Sequence, residues 1–179
     1  MIIHLSGSDF RRMPWANGKG STTEMLRVER GGHLSLRLSR AMVVEDGPFS
    51  VFPGIERNLT VLSGAGFDLV GDGIRFRADM RAPVQFAGHI SLRAVGVSAV
   101  SEDFNVMTEC NLPLPEVFVQ GPGQVAGPSV VLALEAGRIG PVNVAQHDLI
   151  VTDRSLWHYV PVIVVRSEAI QQYLSTARA

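Results

Sequence analysis

The sequence predicts an all-β protein, and three observations predict it. Eighteen glycines and ten prolines are spread over 179 residues, cutting the chain into short segments that suit strands and turns better than long helices. In His33-Leu34-Ser35-Leu36-Arg37-Leu38-Ser39 leucines alternate with polar residues, the period of a strand with one wet face. Short apolar or β-branched runs then recur at 59–62, 67–70, 74–76, 90–94, 104–107, 117–119, 130–134, 149–151 and 160–165, separated mostly by Gly, Pro or Asp. That spacing is the signature of a sandwich or barrel. Only the tail reads as helix: Ser167 can cap, and Ile170, Tyr173 and Leu174 stand at helical spacing, giving a short C-terminal helix with one apolar face.

Composition sets the class. With 46% hydrophobic and 18% charged residues the chain can bury a large core, so disorder is excluded. The stretch Gly121-Pro122-Gly123-Gln124-Val125-Ala126-Gly127-Pro128 interrupts strand pairing and divides two unequal lobes, 1–120 and 121–179. Nothing of linker composition separates them, so the expectation is a single compact unit over 1–179. A formal charge of −1 and a single lysine, Lys19, leave no basic footprint for nucleic acid. The start, Met1-Ile2-Ile3-His4-Leu5, lacks a basic leader and is too short an apolar run for a membrane span, so the expected location is the cytoplasm. One cysteine, Cys110, agrees with a reducing compartment. Edges of a β-fold leave room for a homodimer, with neither interface nor symmetry written in the sequence.

The chemistry-bearing segments are three. Met13-Pro14-Trp15-Ala16-Asn17-Gly18-Lys19-Gly20-Ser21-Thr22-Thr23-Glu24 is glycine-rich before a lysine, but Met13 and Gly20 stand where a phosphate loop needs Gly and Ser or Thr. A turn leading into a strand is the favoured reading; Ser21 and Glu24 also fit a helix capping box. In Gly47-Pro48-Phe49-Ser50-Val51-Phe52-Pro53-Gly54-Ile55-Glu56-Arg57, the chemical feature is Arg57, whose planar fork of donors can hold a carboxylate. The residues alone favour instead a salt bridge to Glu56, Asp46 or Asp103. In Asp103-Phe104-Asn105-Val106-Met107 alternation sends Asp103, Asn105 and Met107 to one face. There they either satisfy loops, the commoner outcome, or line a hydrated ligand cavity. Asp103 and Glu24 are the candidates for proton transfer, which would require a raised pKa and a substrate in reach. The five histidines are far apart in sequence, so neither a metal nor any other cofactor is expected. Trp15 and Trp157 can stack on ligands or close the ends of a barrel.

These segments, Trp15 to Thr23, Gly47 to Arg57 and Asp103 to Met107, together resemble the HutD/Ves family in order and separation. The resemblance implies a double cupin-like (RmlC-like) β-barrel or jelly roll, bacterial, without the histidine-rich metal motif of typical cupins. In that bicupin arrangement the smaller second barrel would be completed by N-terminal strands. It further implies an association with histidine utilisation and a non-catalytic role in binding an acidic metabolite such as N-formylglutamate. The alternative is a metal-free isomerase or hydrolase of a small acid. The ligand-binding positions expected are Trp15, Asn17, Thr22, Phe49, Ser50, Phe52, Arg57, Asp103, Asn105 and Met107. Arg57 would serve as anion anchor, Asn17, Thr22 and Ser50 as hydrogen-bond donors, and Phe49 and Phe52 as apolar wall. The chain departs from the family pattern at Ala16, Lys19, His89, Glu109 and Cys110, which opens a difference in ligand.

Overall fold

A computed structural model describes residues 1–14 and 21–178 of the chain. The chain forms two compact units, Arg11–Leu112, and Met1–Phe10 together with Pro113–Ala179. The glycine- and proline-rich stretch at 121–128 therefore lies inside the second unit, where it carries the short strand Gly123–Val125. The change of unit comes earlier, between Leu112 and Pro113.

The first unit consists of a six-stranded and a four-stranded sheet. The larger is antiparallel in the order Arg11–Pro14, Ser21–Arg30, His33–Val43, Ser101–Glu109, Ile55–Ser63, Val84–Ala87. The smaller runs Gly47–Pro48, Arg93–Val95, Phe67–Gly71, Ile74–Ala78. Leu59, Val61, Phe67, Leu69, Ala78, Phe86, Leu92 and Ala94 form its buried core. The sheets described are open, and none closes into the barrel that the short strands suggested. The run at 90–94 is a strand only from Arg93 to Val95, because Ile90 is held in a turn by its amide bond to the carbonyl of Ala87 at 3.1 Å. Ser21 to Glu24 is strand rather than capped helix: the β-branched Thr22 and Thr23 pair across to Ala41 and Arg40, a setting that suits stiff side chains.

The second unit has a five-stranded sheet, Ile2–Leu5, Leu149–Thr152, Ser129–Ala133, Val162–Arg166, Glu116–Gln120. A four-stranded sheet, Gly123–Val125, Leu156–His158, Gly137–Ile139, Val142–Val144, accompanies it. Ser129–Ala133 and Leu149–Thr152 are buried at every position, which is why they read as continuous apolar runs without alternation. The helix Glu168–Thr176 is capped as the sequence predicts, Ser167 Oγ accepting from the amide of Ala169 at 3.3 Å, and buries Ala169, Ile170 and Leu174. No described helix is long and apolar enough to cross a membrane.

One loop of the first unit is stitched at both ends. The amide of Phe49 bonds the carbonyl of Leu92 at 2.9 Å, that of Phe52 bonds Gly88 at 2.7 Å, and Gly88 in turn donates to Ile55 at 2.7 Å. A Cβ on Gly88 would stand 2.7 Å from the Ile55 oxygen and 2.8 Å from that of Phe52, contacts with backbone that cannot give cheaply. Gly88→Ala is thus expected to destabilise by about 1–3 kcal/mol. Gly7→Ala, where a Cβ meets nothing within 4 Å, serves as the neutral control. Urea denaturation reads both, and a Gly88→Ala midpoint equal to that of wild type would show that the loop is not clamped there.

Candidate functional site

The larger sheet of the first unit turns a polar row inward. Strand Ser101–Glu109 lies between His33–Val43 and Ile55–Ser63, pairing Asp103 with Ala41, Asn105 with Ser39, and Met107 with both Arg37 and Arg57. Paired residues share a face, so the strand registry alone gathers these side chains. A register shift between Glu102 and Asp103, where Leu62 has no partner, brings Asp103 opposite Val61. Such bulges re-aim side chains near functional sites. On this face is a cavity of about 800 Å³, lined by Thr22, Arg37, Ser39, residues Ala41 to Ser50, Phe52, Arg57, Arg93, Ala94, Asp103, Asn105 and Met107.

Arg57 dominates the wall. It is only 5% exposed, and its guanidinium lies over three phenyl rings, 5.5 Å from the centroid of Phe49, 5.2 Å from Phe52 and 5.1 Å from Phe86. The negative ring faces partly replace lost water. Nη2 donates to Asn105 Oδ1 at 2.7 Å and Nη1 to the Ser50 carbonyl at 3.2 Å. Nε is buried with no partner among the described residues. Burial brings the pKa of this arginine down to about 10, against the favourable charge of Asp103 and with a further push from Arg37. Asn105 bridges onward, Nδ2 donating to Asp103 Oδ1. Asp103 is 1% exposed, and desolvation pushes its pKa up to about 7 against the opposing pull of Arg57 and the Asn105 hydrogen bond. Arg37 completes the row, with Nε on Glu24 Oε2 at 2.6 Å and Nη1 3.7 Å from the Met107 sulfur.

Of the positions singled out from sequence, Thr22, Phe49, Ser50, Phe52, Arg57, Asp103, Asn105 and Met107 line this one cavity. Trp15 and Asn17, with Ala16 and Lys19, lie outside the described residues. Glu24 does not line the cavity but holds Arg37. Three readings need correction. Arg57 bonds an amide and a carbonyl rather than a carboxylate; Asp46 instead accepts from the amides of Gly96 and Val97 at 3.1 and 2.8 Å. Asp103 and Asn105 face a cavity rather than tying down loops. The polar side of His33–Val43 is wet only at His33, for Ser35 and Ser39 are buried and Arg37 and Ser39 line the cavity. Sequence reasoning therefore missed Arg37, Ser39, Phe86 and Arg93. The first two carry a signal, the alternation itself, which by itself reads as a solvated face. Trp157 is 58% exposed on a strand of the second unit and is not among the residues that line the cavity. Among the described residues no three His, Cys, Asp or Glu are grouped to hold a metal.

The raised pKa of Asp103 carries a signed consequence for stability. Below the ordinary 3.8 the carboxyl is protonated in both folded and unfolded chains. Between there and about 7 the folded protein keeps a proton that the unfolded chain has lost. Rising pH then weakens the fold by up to about 1.4 kcal/mol per unit, and above that window the loss is constant. Asp103→Asn removes this dependence. Urea denaturation across the window is expected to show the variant gaining on wild type as pH rises, whereas a constant difference would mean that Asp103 titrates as an ordinary carboxyl.

Comparison with known proteins places the chain in a family and a fold. The HutD family profile matches residues 7–127. An uncharacterized 21.2 kDa protein in the hutC 3′ region of Pseudomonas putida is 36% identical over 106 residues, 58% of this chain and 56% of that protein. Protein Ves of Escherichia fergusonii is 35% identical over 111 residues, 58% of this chain and 57% of that one. The chain thus spans little more than half the length of these curated relatives. The structure of HutD from Pseudomonas fluorescens SBW25, from a formate condition, superposes with a TM-score of 0.83 at 24% identity, covering 93% of this chain and 97% of that one. The bacterial pirin YhhW of Escherichia coli shares the fold more distantly, with a TM-score of 0.61 at 9% identity over 92% and 97% of the two chains. The architecture is mostly β and cupin-like, and the chain belongs to the HutD family, with Ves proteins among its relatives.

Proposed function

We propose that the protein binds a small carboxylate-bearing metabolite in the cavity of its first unit and thereby tunes histidine utilisation, with N-formylglutamate as the first candidate ligand. The observation that carries this reading is Arg57: a guanidinium in the cavity wall, fixed by Asn105, Ser50 and three rings. A cation oriented before the ligand arrives loses little freedom on binding, and the fork matches a carboxylate. The relative in the hutC 3′ region supports the metabolic setting.

A second reading, a metal-free isomerase or hydrolase of a small acid, is favoured by one observation. Asp103 lines the cavity with a pKa pushed up to about 7, the range in which a carboxyl can exchange protons at neutral pH. Against it stands Glu24, the other acid considered, which is engaged by Arg37 at 2.6 Å.

Denaturation with and without N-formylglutamate tests the binding reading. A ligand that binds only the folded state is expected to add about 2.7 kcal/mol at ~100 times its Kd, and Arg57→Leu is expected to abolish the gain. Absence of stabilisation by every metabolite of histidine breakdown would sink the proposal. Turnover of any bound acid that Asp103→Asn abolishes would establish the enzyme instead.

A further inference from the structure

We propose that the cavity takes up its anion together with a proton, and that Asp103 is the group that receives the proton. This rests on the carboxylate-binding reading above and adds to it how the same site responds to pH. Strand registry gives Asp103 two aliphatic neighbours, Ala41 on one side and Val61 on the other, so neither flanking strand sets a cation directly beside it. Its link to Arg57 is indirect: Nη2 donates to Asn105 Oδ1, and Asn105 Nδ2 donates to Asp103 Oδ1. Because Oδ1 accepts from the amide, an added proton belongs on Oδ2. Asp103 is 1% exposed and yet lines the cavity, so whatever fills the cavity changes its surroundings.

The charges of the inner row balance before a ligand arrives. Arg57 from Ile55–Ser63 and Arg37 from His33–Val43 stand against Asp103 and against Glu24 from Ser21–Arg30, which holds Arg37 Nε at 2.6 Å. Beyond Glu24, Arg27 pairs with Glu29, and on the strand of Asp103 itself Glu102 pairs with Arg40. Any ligand carboxylate tips that balance toward negative charge, and a proton on Asp103 restores it. A carboxylate held by Arg57 stands about 8 Å from Asp103, across one guanidinium and one amide, and a charge at that distance raises a carboxyl pKa by about one unit or more. Displacing water from the cavity pushes the same way, since it disfavours the charged acid. Burial already holds Asp103 up at about 7, so the added push acts at neutral pH. The other charged groups of the lining do not compete for the proton. Glu45 and Arg93 are exposed to water, and Asp46 is held ionised by the amides of Val97 and Gly96. No histidine stands among the described residues of the lining.

Isothermal titration calorimetry with N-formylglutamate, run in Tris and in Hepes at about pH 8, detects the proton, because the two buffers release it with different heats. Carboxylates of the ligand are ionised above about pH 5.5, so the ligand supplies no proton of its own. Wild type is expected to take up more than about half a proton per ligand, and to lose affinity by up to about tenfold per pH unit above about pH 7. At about pH 5.5 the uptake is expected to vanish, since Asp103 is then protonated before the ligand arrives. Asp103→Asn, neutral at every pH, is expected to bind with no proton uptake, and at about pH 8 at least as tightly as wild type. Wild-type binding with equal heats in the two buffers overturns the coupling and leaves the carboxylate reading standing. An uptake that persists in Asp103→Asn overturns the assignment to Asp103. No binding at either pH overturns this inference and N-formylglutamate as the ligand together. The wild-type heats decide the coupling without any variant having to fold.

Discussion

A guanidinium at 5% exposure is the constraint around which the first unit is arranged. Removing such a group from water costs several kcal/mol unless its donors are met and its charge is balanced. Here the compensation is distributed over distant parts of the chain. Asn105 comes from the next strand, the Ser50 carbonyl and the rings of Phe49 and Phe52 from the preceding loop, and Phe86 from the edge strand that pairs with Arg57 directly. Each supplier has its own positional demand. The rings stay over the cation only because the loop is bonded to Leu92 and Gly88, and Asn105 reaches it only in the observed register. The Gly-Pro-Phe-Ser segment, Arg57 and the Asp-Phe-Asn segment are therefore parts of one device.

That device was partly legible in the sequence. Motifs rich in turn residues and aromatics pointed to Phe49, Ser50, Phe52 and Arg57, and strand alternation placed Asp103, Asn105 and Met107 on one face. What alternation cannot say is whether a polar face meets water or a cavity, because that depends on what lies opposite it. Ser35, Arg37 and Ser39 accordingly read as a solvated face. The strand Ser21–Arg30 is the one into which the turn was expected to lead, but its length is not legible in the sequence. Its pairing with His33–Val43 shifts register between Glu24 and Leu26 and again between Val28 and Glu29, and each bulge breaks the period of two that reveals a strand. The three-residue strands of the second unit, such as Gly137–Ile139 and Val142–Val144, are too short to carry a period. They are defined by their partners.

The family match and the physical site coincide. Residues 7–127 contain the whole of the unit Arg11–Leu112, with every residue of the cavity lining. The match runs on to residue 127, inside the second unit. The second unit is held by Val, Ile and Leu in continuous runs, where volume-conserving exchange is tolerated.

Asn105 shows how little freedom such a wall leaves. Between an arginine and a carboxyl the bridging side chain must accept at one end and donate at the other, and an amide does both. Arginine has no acceptor, so the atom facing Nη2 must be Oδ1, and Nδ2 is then turned toward Asp103. This settles the amide orientation by chemistry alone. It also follows that Asp103 Oδ1 acts as an acceptor in either protonation state, with any proton carried on the other oxygen. The hydrogen-bonded chain from Arg57 to Asp103 is thus compatible with both charge states of the acid. The net charge of the cavity wall can change near neutral pH while the geometry that presents Arg57 stays the same.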